Sequence, residues 1–206
     1  MVYLAGVRMM NTENWLIAKV ISGGQTGADR AALDWACENE VPHGGWCPKG
    51  RMAADGPLAS HYQLCETDSA GYRQRTKLNV KDSDATLVLN TGTLDGGTLQ
   101  TVRFAQTLKK PHLVLQLDEL TASQAAQHVR AWLVSGRFYA LNVAGPREEK
   151  RPGIYARAKI LLAMSLPIGN HGSHEGRADA MDCSKMSGLG ESGENKPCNH
   201  LALQVV

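Results

Sequence analysis

The sequence predicts an α/β protein: an open, mainly parallel sheet with helices on both faces, made as a single domain and followed by an irregular C-terminal tail. Three observations carry that prediction. Short apolar runs alternate with segments of helical periodicity, the pattern that right-handed crossovers turn into a parallel sheet. Three of the strand ends lead through glycine-bearing turns into helices, and in such folds ligands bind beyond the carboxyl ends of the strands. With 206 residues the chain is long enough to bury a full core as one domain.

Residues 1–14 read as a ragged leader with few periodic contacts, and no role is assigned to them. Residues 18–21 (AKVI) form the first strand and run into Ser22, Gly23, Gly24, Gln25, Thr26, Gly27, Ala28 and Asp29. Beyond that turn Ala28, Ala31, Ala32, Trp35 and Ala36 recur at helical spacing. The three glycines let the backbone turn sharply and approach a ligand, and the helix aims its free N–H groups and positive dipole end into the turn. This reads as an anion-binding turn suited to phosphate. The spacing matches neither Walker A nor G-x-G-x-x-G, and no lysine follows the last glycine, so a purely structural tight turn is the competing reading.

Residues 41–56 (VPHGGWCPKGRMAADG) are rich in Gly and Pro and read as a long functional loop. Residues 87–90, introduced by Asp84, form a second central strand, and residues 91–98 (TGTLDGGT) repeat the glycine turn before a helix with Leu99, Val102, Ala105 and Leu108 on one face. Pro111 stops that helix, and the nearly continuous apolar run 112–117 is a third strand suited to burial on both sides. Thr121 and Gln124 have capping-box spacing at the start of a helix whose apolar face is Ala125, Val129, Trp132 and Leu133, with Gly136 placed to end it. Residues 138–143 form a fourth strand, followed by Ala144, Gly145, Pro146 and Arg147. A last helix begins near Gly153 with Ile154, Ala158, Leu161 and Leu162 inward. The domain spans 15–165, and its three strand-to-helix loops are expected to converge on one crevice.

From 166 to 206 Gly, Ser, His, Asn and charged residues dominate, which reads as a disordered or loosely packed tail. His171, His174, Cys183, Cys198 and His200 invite a zinc reading, but their spacing fits no compact site, so no protein-ligated metal is expected. The net charge of +2 argues against broad capture of duplex nucleic acid. No run approaches about 18 apolar residues and no signal-like N-terminus is present, so no membrane span is expected and the expected location is cytoplasmic. Five widely spaced cysteines without a C-x-x-C pair point to reduced thiols rather than a disulfide framework.

Basic side chains gather in the segments flanking the predicted crevice: Lys49 and Arg51 in the long loop, Arg73, Arg75 and Lys77 before the second strand, and Arg147 after the fourth. Arg offers a fixed fork for phosphate; solvated surface charge is the plain alternative. Among carboxylates near the loops, Asp29 is explained as well by a helix-dipole role as by catalysis, and Asp55, Asp84 and Asp95 form no acid–base pair recognisable by spacing. His43 and His61 read as proton shuttles, phosphate donors or packed loop residues. Cys47 is either a thiol poised by Lys49 or a buried side chain. Trp46 is either a stacking surface for a flat ring or a core anchor.

Taken in order, the blocks SGGQTGADRAALDWA (22–36), PHGGWCPKGRMAADG (42–56), YRQRTKLNVKDSDATLVL (72–89), TGTLDGGT (91–98) and LNVAGPREEKRPGIY (141–155) resemble the molybdenum cofactor carrier family, a Rossmann-like relative of the LOG and YpsA-type (SLOG) proteins. The resemblance implies a homo-oligomer, dimer or tetramer, whose cleft binds a phosphorylated small molecule, the molybdenum cofactor (molybdopterin) in the carrier reading. It implies that Gly23, Gly24, Gln25, Thr26 and Gly27, with Gly96, Gly97 and Thr98, hold the anion, and that Lys49, Arg51, Arg75, Asn79 and Arg147 surround it. LOG enzymes cleave nucleoside monophosphates with an Arg and a Glu in a P-G-G-x-G-T-x-x-E pattern. Residues 95–101 (DGGTLQT) lack its second Gly-Thr step and its Glu. The leading expectation is therefore a non-catalytic carrier, and the alternative is a nucleotide-binding enzyme that hydrolyses an N-glycosidic bond.

Overall fold

The computed structural model describes residues 17–166 and the backbone of Leu203–Gln204. Its main sheet contains β1 (Lys19–Ile21), β2 (His43–Gly44), β7 (Ala85–Asn90), β8 (His112–Gln116), β9 (Ala140–Ala144) and β10 (Leu203–Gln204). The order is β10-β8-β7-β9-β1-β2, and every pairing is parallel. β7 is buried at all six positions, as expected of an apolar central strand covered on both faces. Two small pairs flank the sheet: parallel β3 (Trp46–Cys47) with β6 (Cys65–Glu66), and antiparallel β4 (Met52–Ala53) with β5 (Gly56–Pro57). The segment 41–56 thus carries β2 to β4 and the start of β5, where the sequence suggested an irregular loop.

Five helices complete the described fold: α1 (Ala28–Glu38), α2 (Tyr72–Lys81), α3 (Gly96–Thr107), α4 (Ala122–Gly136) and α5 (Ile154–Ser165). Their distribution follows from handedness. The step from β1 to β2 runs one way across the sheet and the step from β7 to β8 runs the other. Right-handed crossovers therefore put α1 and α3 on opposite faces. The packing agrees, with α5 against α1 and α4, and α2 against α3. The reversal leaves β9 between β7 and β1, and a crevice opens at such a switch point beyond the carboxyl ends of the strands.

The main core joins Trp35 of α1, Leu87 and Leu89 of β7, Leu113 and Leu115 of β8, Trp132 of α4 and Leu161 of α5. A smaller cluster of Leu33, Cys47, Ala53, Leu58, Tyr62 and Leu64 seats the loop region on α1. The capping box at α4 is present in full: the Gln124 N–H donates to the Thr121 hydroxyl, and the Thr121 N–H donates to the Gln124 side chain.

Two predicted boundaries move. Gly136 stays inside α4, and Arg137 takes the left-handed C-cap with φ 50°. The glycine leaves room there for the Phe138 ring, which packs where a Cβ would stand and sits 5.0 Å from Trp132. β9 begins at Ala140 rather than 138, because the Asp84 carboxylate accepts from the Tyr139 and Ala140 N–H groups at the strand start. The cysteine expectation is corrected as well: Cys37 and Cys47 are free thiols, but Cys65 is disulfide-bonded. The leader and the metal candidates His171, His174, Cys183, Cys198 and His200 lie outside the described residues.

Candidate functional site

A cleft of ≈ 530 Å³ opens where the strand ends meet, and all three predicted loops contribute to it. Gln25 and Asp29 come from the first, Gly97 and Thr98 from the second, Gly145 and Arg147 from the third, and α2 adds Tyr72 and Arg75.

The first turn is filled by the protein itself. Ser22, at the end of β1, donates to the Val143 and Asp29 carbonyls and so draws β9 and the start of α1 together. Gly27 has φ 79°, and a Cβ there would lie 2.4 Å from the Pro146 carbonyl oxygen, so only glycine lets the first and third loops touch. That carbonyl accepts from the Ala28 N–H at 3.4 Å. Inside the first turn of α1 stands Asp29, 3% exposed. One of its carboxylate oxygens receives Arg75 at 2.9 Å, and the other accepts from the Gly145 N–H at 3.3 Å. Burial pushes the Asp29 carboxyl up from its ordinary value, and the Arg75 guanidinium opposes that push. The positive end of α1 therefore already has its anion, an aspartate of the same chain.

The second turn is open. Asp95 is the N-cap of α3 but makes no side-chain capping bond. Its carboxylate reaches instead to Lys150 at 2.6 Å and Arg151 at 3.7 Å, and the hydrogen bond from Lys150 holds its carboxyl below the usual range. Arg151 also donates to the Thr91 and Thr93 carbonyls, which fixes the second loop to the third. Uncapped in this way, the first-turn N–H groups of Gly97 and Thr98 meet no acceptor among the described residues. A Cβ built on Gly97 touches nothing within 4 Å. Two further donors on the cleft lining lack partners: Gln25 Nε2 and Arg75 Nε, both buried. The Gln25 carbonyl oxygen is used, accepting from the Thr26 and Ala54 N–H groups, and this fixes which way its amide points.

The remaining predicted residues fall into two groups. Gly23 lies beneath the Arg75 guanidinium, the Gly24 carbonyl accepts from Arg30, and the Thr26 hydroxyl donates to Glu149 at 2.8 Å. Gly96 sits at the start of α3 with φ 51°. None of these four, nor Gly27, is on the lining; they hold the turns behind it. Lys49, Arg51 and Asn79 are not on its lining. The Arg51 guanidinium is spent on the Ala59, Tyr62 and Leu64 carbonyls. Asn79 is buried and clamps the Trp46 backbone with both ends of its amide. Trp46 itself is a buried anchor whose indole N–H donates to Asp82.

His43 lies against Cys37 and His61 against Tyr62, both away from the lining. The Cys47 thiol is pushed up by burial, the reverse of a poised nucleophile. Asp55 pairs with Arg30. Sequence reasoning missed Tyr72, Glu149 and Lys150, all on the lining. Tyr72 stands beside Arg73, which the sequence did single out, and that adjacency was the available signal; Glu149 and Lys150 carried none.

A model of the circularly permutated YpsA SLOG family matches residues 20–166, a span that includes every element lining the cleft. None of the curated proteins matches the chain. Among solved structures, the 1.45 Å crystal structure of a "Putative molybdenum carrier protein" from Syntrophus aciditrophicus SB is 48% identical, with a TM-score of 0.72. The match covers 73% of this chain and 96% of that one. Residues, cleft and matched span agree, and the chain belongs to the circularly permutated YpsA SLOG family.

Proposed function

We propose that this chain is a non-catalytic binding and carrier protein that holds a phosphorylated pterin, the molybdenum cofactor, in the cleft at the strand ends. The observation that carries the proposal is the set of unspent donors on one lining: the Gly97 and Thr98 N–H groups, Gln25 Nε2 and Arg75 Nε. Gly97 is exposed, but Thr98, Gln25 Nε2 and Arg75 Nε are buried; buried donors are rarely left without acceptors, and a phosphate at a helix N-terminus satisfies several at once. Gly97 and Thr98 hold the phosphate, with Gln25, Arg75 and Arg147 around it, while Gly23, Gly24, Thr26, Gly27 and Gly96, none of them on the lining, hold the turns behind it. A cleft of ≈ 530 Å³ has room for a small phosphorylated heterocycle. The printed name of the 48% identical neighbour supports a molybdenum-carrying role.

The absence of catalysis is part of the proposal. Hydrolysis of an N-glycosidic bond needs a carboxylate placed for proton transfer or charge stabilisation. The three carboxylates on the lining are each engaged, Asp29 by Arg75, Asp95 by Lys150 and Glu149 by the Thr26 hydroxyl; of the others singled out in the sequence, Asp55 pairs with Arg30 and Asp84 accepts from two strand N–H groups. Cytoplasmic location and assembly into a homo-oligomer belong to the same reading. Among the described residues no helix is long and apolar enough to cross a membrane.

An anaerobic equilibrium titration with the cofactor tests the proposal. Saturable binding that inorganic phosphate competes away is expected. No affinity for the cofactor together with tight AMP binding would overturn the carrier reading, and release of free base from a nucleoside monophosphate would replace it with the hydrolase.

A further inference from the structure

Tyr72 opens α2, lines the cleft and is 38% exposed. Among the described residues its hydroxyl makes no hydrogen bond; the residue's bond is through its carbonyl, which accepts from Thr76. Two cations lie over its ring: the guanidinium carbon of Arg147 at 4.7 Å from the centroid and that of Arg75 at 5.7 Å.

The three cations on the lining differ in what holds them. Arg75 is tied to Asp29 and Lys150 to Asp95. Arg147 has neither a carboxylate nor a hydrogen-bond acceptor among the described residues, and its contact is the face of Tyr72. A long side chain on an exposed loop loses rotamer entropy when it is ordered by a ligand. A ring that holds the guanidinium beforehand lowers that cost. Unlike a carboxylate, it leaves all five N–H donors free.

We infer that Tyr72 is a positioning residue for oxyanion recognition: its ring holds Arg147 at the cleft, with Arg75 beside it, so that the two guanidiniums receive a terminal oxyanion of the phosphate class. The inference rests on the phosphate reading of the cleft given above, and it adds that ordering Arg147 is the task of a side chain that touches no phosphate oxygen. The unpartnered Arg75 Nε and the free fork of Arg147 are the donors concerned.

Calorimetric titration with inorganic phosphate tests it in five proteins: the unaltered chain, Tyr72→Phe, Tyr72→Leu, Arg147→Ala, and the double variant Tyr72→Leu/Arg147→Ala. Tyr72→Leu weakens phosphate binding about 2- to 5-fold, the worth of a partly exposed cation–ring contact. Tyr72→Phe keeps the ring and stays within about 1.5-fold of the unaltered chain, since the hydroxyl has no role. Arg147→Ala weakens binding about fivefold or more. Once Arg147 is gone, Tyr72→Leu adds less than about 1.5-fold, because the two residues act as a unit. The inference is overturned if Tyr72→Leu binds like the unaltered chain, if Tyr72→Phe is as weak as Tyr72→Leu, or if the Leu effect persists in full without Arg147. An unaltered chain that takes up no phosphate overturns the cleft reading itself, and this inference with it.

Discussion

The turn between β1 and α1 and the turn between β7 and α3 both bring a helix N-terminus and a run of glycines to one cleft, yet they are finished in opposite ways. At α1 the dipole end is met by Asp29, locked to Arg75 and to the Gly145 N–H, while the Pro146 carbonyl closes on the Ala28 N–H. At α3 the Asp95 carboxylate turns away to Lys150, and the Gly97 and Thr98 N–H groups stay open. A glycine turn before a helix thus supplies the possibility of anion binding, and the neighbouring carboxylate decides whether the possibility is already used. The closed turn is a structural joint; the open one is the place we propose for a ligand's charge.

The sharpest way to break this contrast is to remove one arginine from each environment. Arg75→Ala leaves Asp29 buried without its cation and costs about 3–5 kcal/mol of folding stability, read by urea denaturation. Arg147→Ala changes stability by less than about 0.5 kcal/mol, since Arg147 is exposed. It lowers affinity for phosphate by about 1–3 kcal/mol. Equal stability losses in the two variants would erase the distinction.

A pair of glycine substitutions comes next. Gly27→Ala forces a side chain into φ 79° and against the Pro146 carbonyl, and costs about 2–3 kcal/mol. Gly97→Ala meets nothing within 4 Å; its stability stays within about 0.5 kcal/mol, while its methyl group projects where the phosphate is placed and weakens binding.

The smallest effect concerns how α1 is anchored along its length. Asp34 accepts from the Tyr62 hydroxyl at 2.5 Å and the Tyr155 hydroxyl at 2.7 Å. Burial first, and then the bond to Asp34, push both phenols above their ordinary value, which is about 10. Above that pH the unfolded chain releases protons that the folded chain keeps. The stabilisation is therefore complete below about pH 10 and is lost as pH rises toward the folded values. Thermal midpoints followed from pH 8 to 11 should fall less steeply in Asp34→Asn than in the unaltered chain.

The parts legible in the sequence were those in which apolar burial dictates structure. β7, β8 and β9 announce themselves as apolar runs, and the capping box at Thr121 is local chemistry within four residues. α2 was not legible as a helix because its buried positions are Thr76, Asn79 and Val80, a stripe too polar for apolar periodicity to reveal. The site suffers for the same reason, since Tyr72 and Arg75 ride on that helix. Glycine spacing located both turns, but the pairing of Asp29 with Arg75 depends on packing between distant segments. So does the burial of Asn79 under the Trp46 backbone. Arg51 was legible as a cation near the crevice; that its fork closes a loop on three carbonyls was not.

The central claim is that an added anion goes to α3 and not to α1. Amide chemical shifts followed during a titration with inorganic phosphate read this directly. The account predicts saturable shifts of the Gly97 and Thr98 amides, with those of Gly24 and Ala28 moving far less. Shifts concentrated at Gly24 and Ala28, or no saturable shift at either turn, would contradict it.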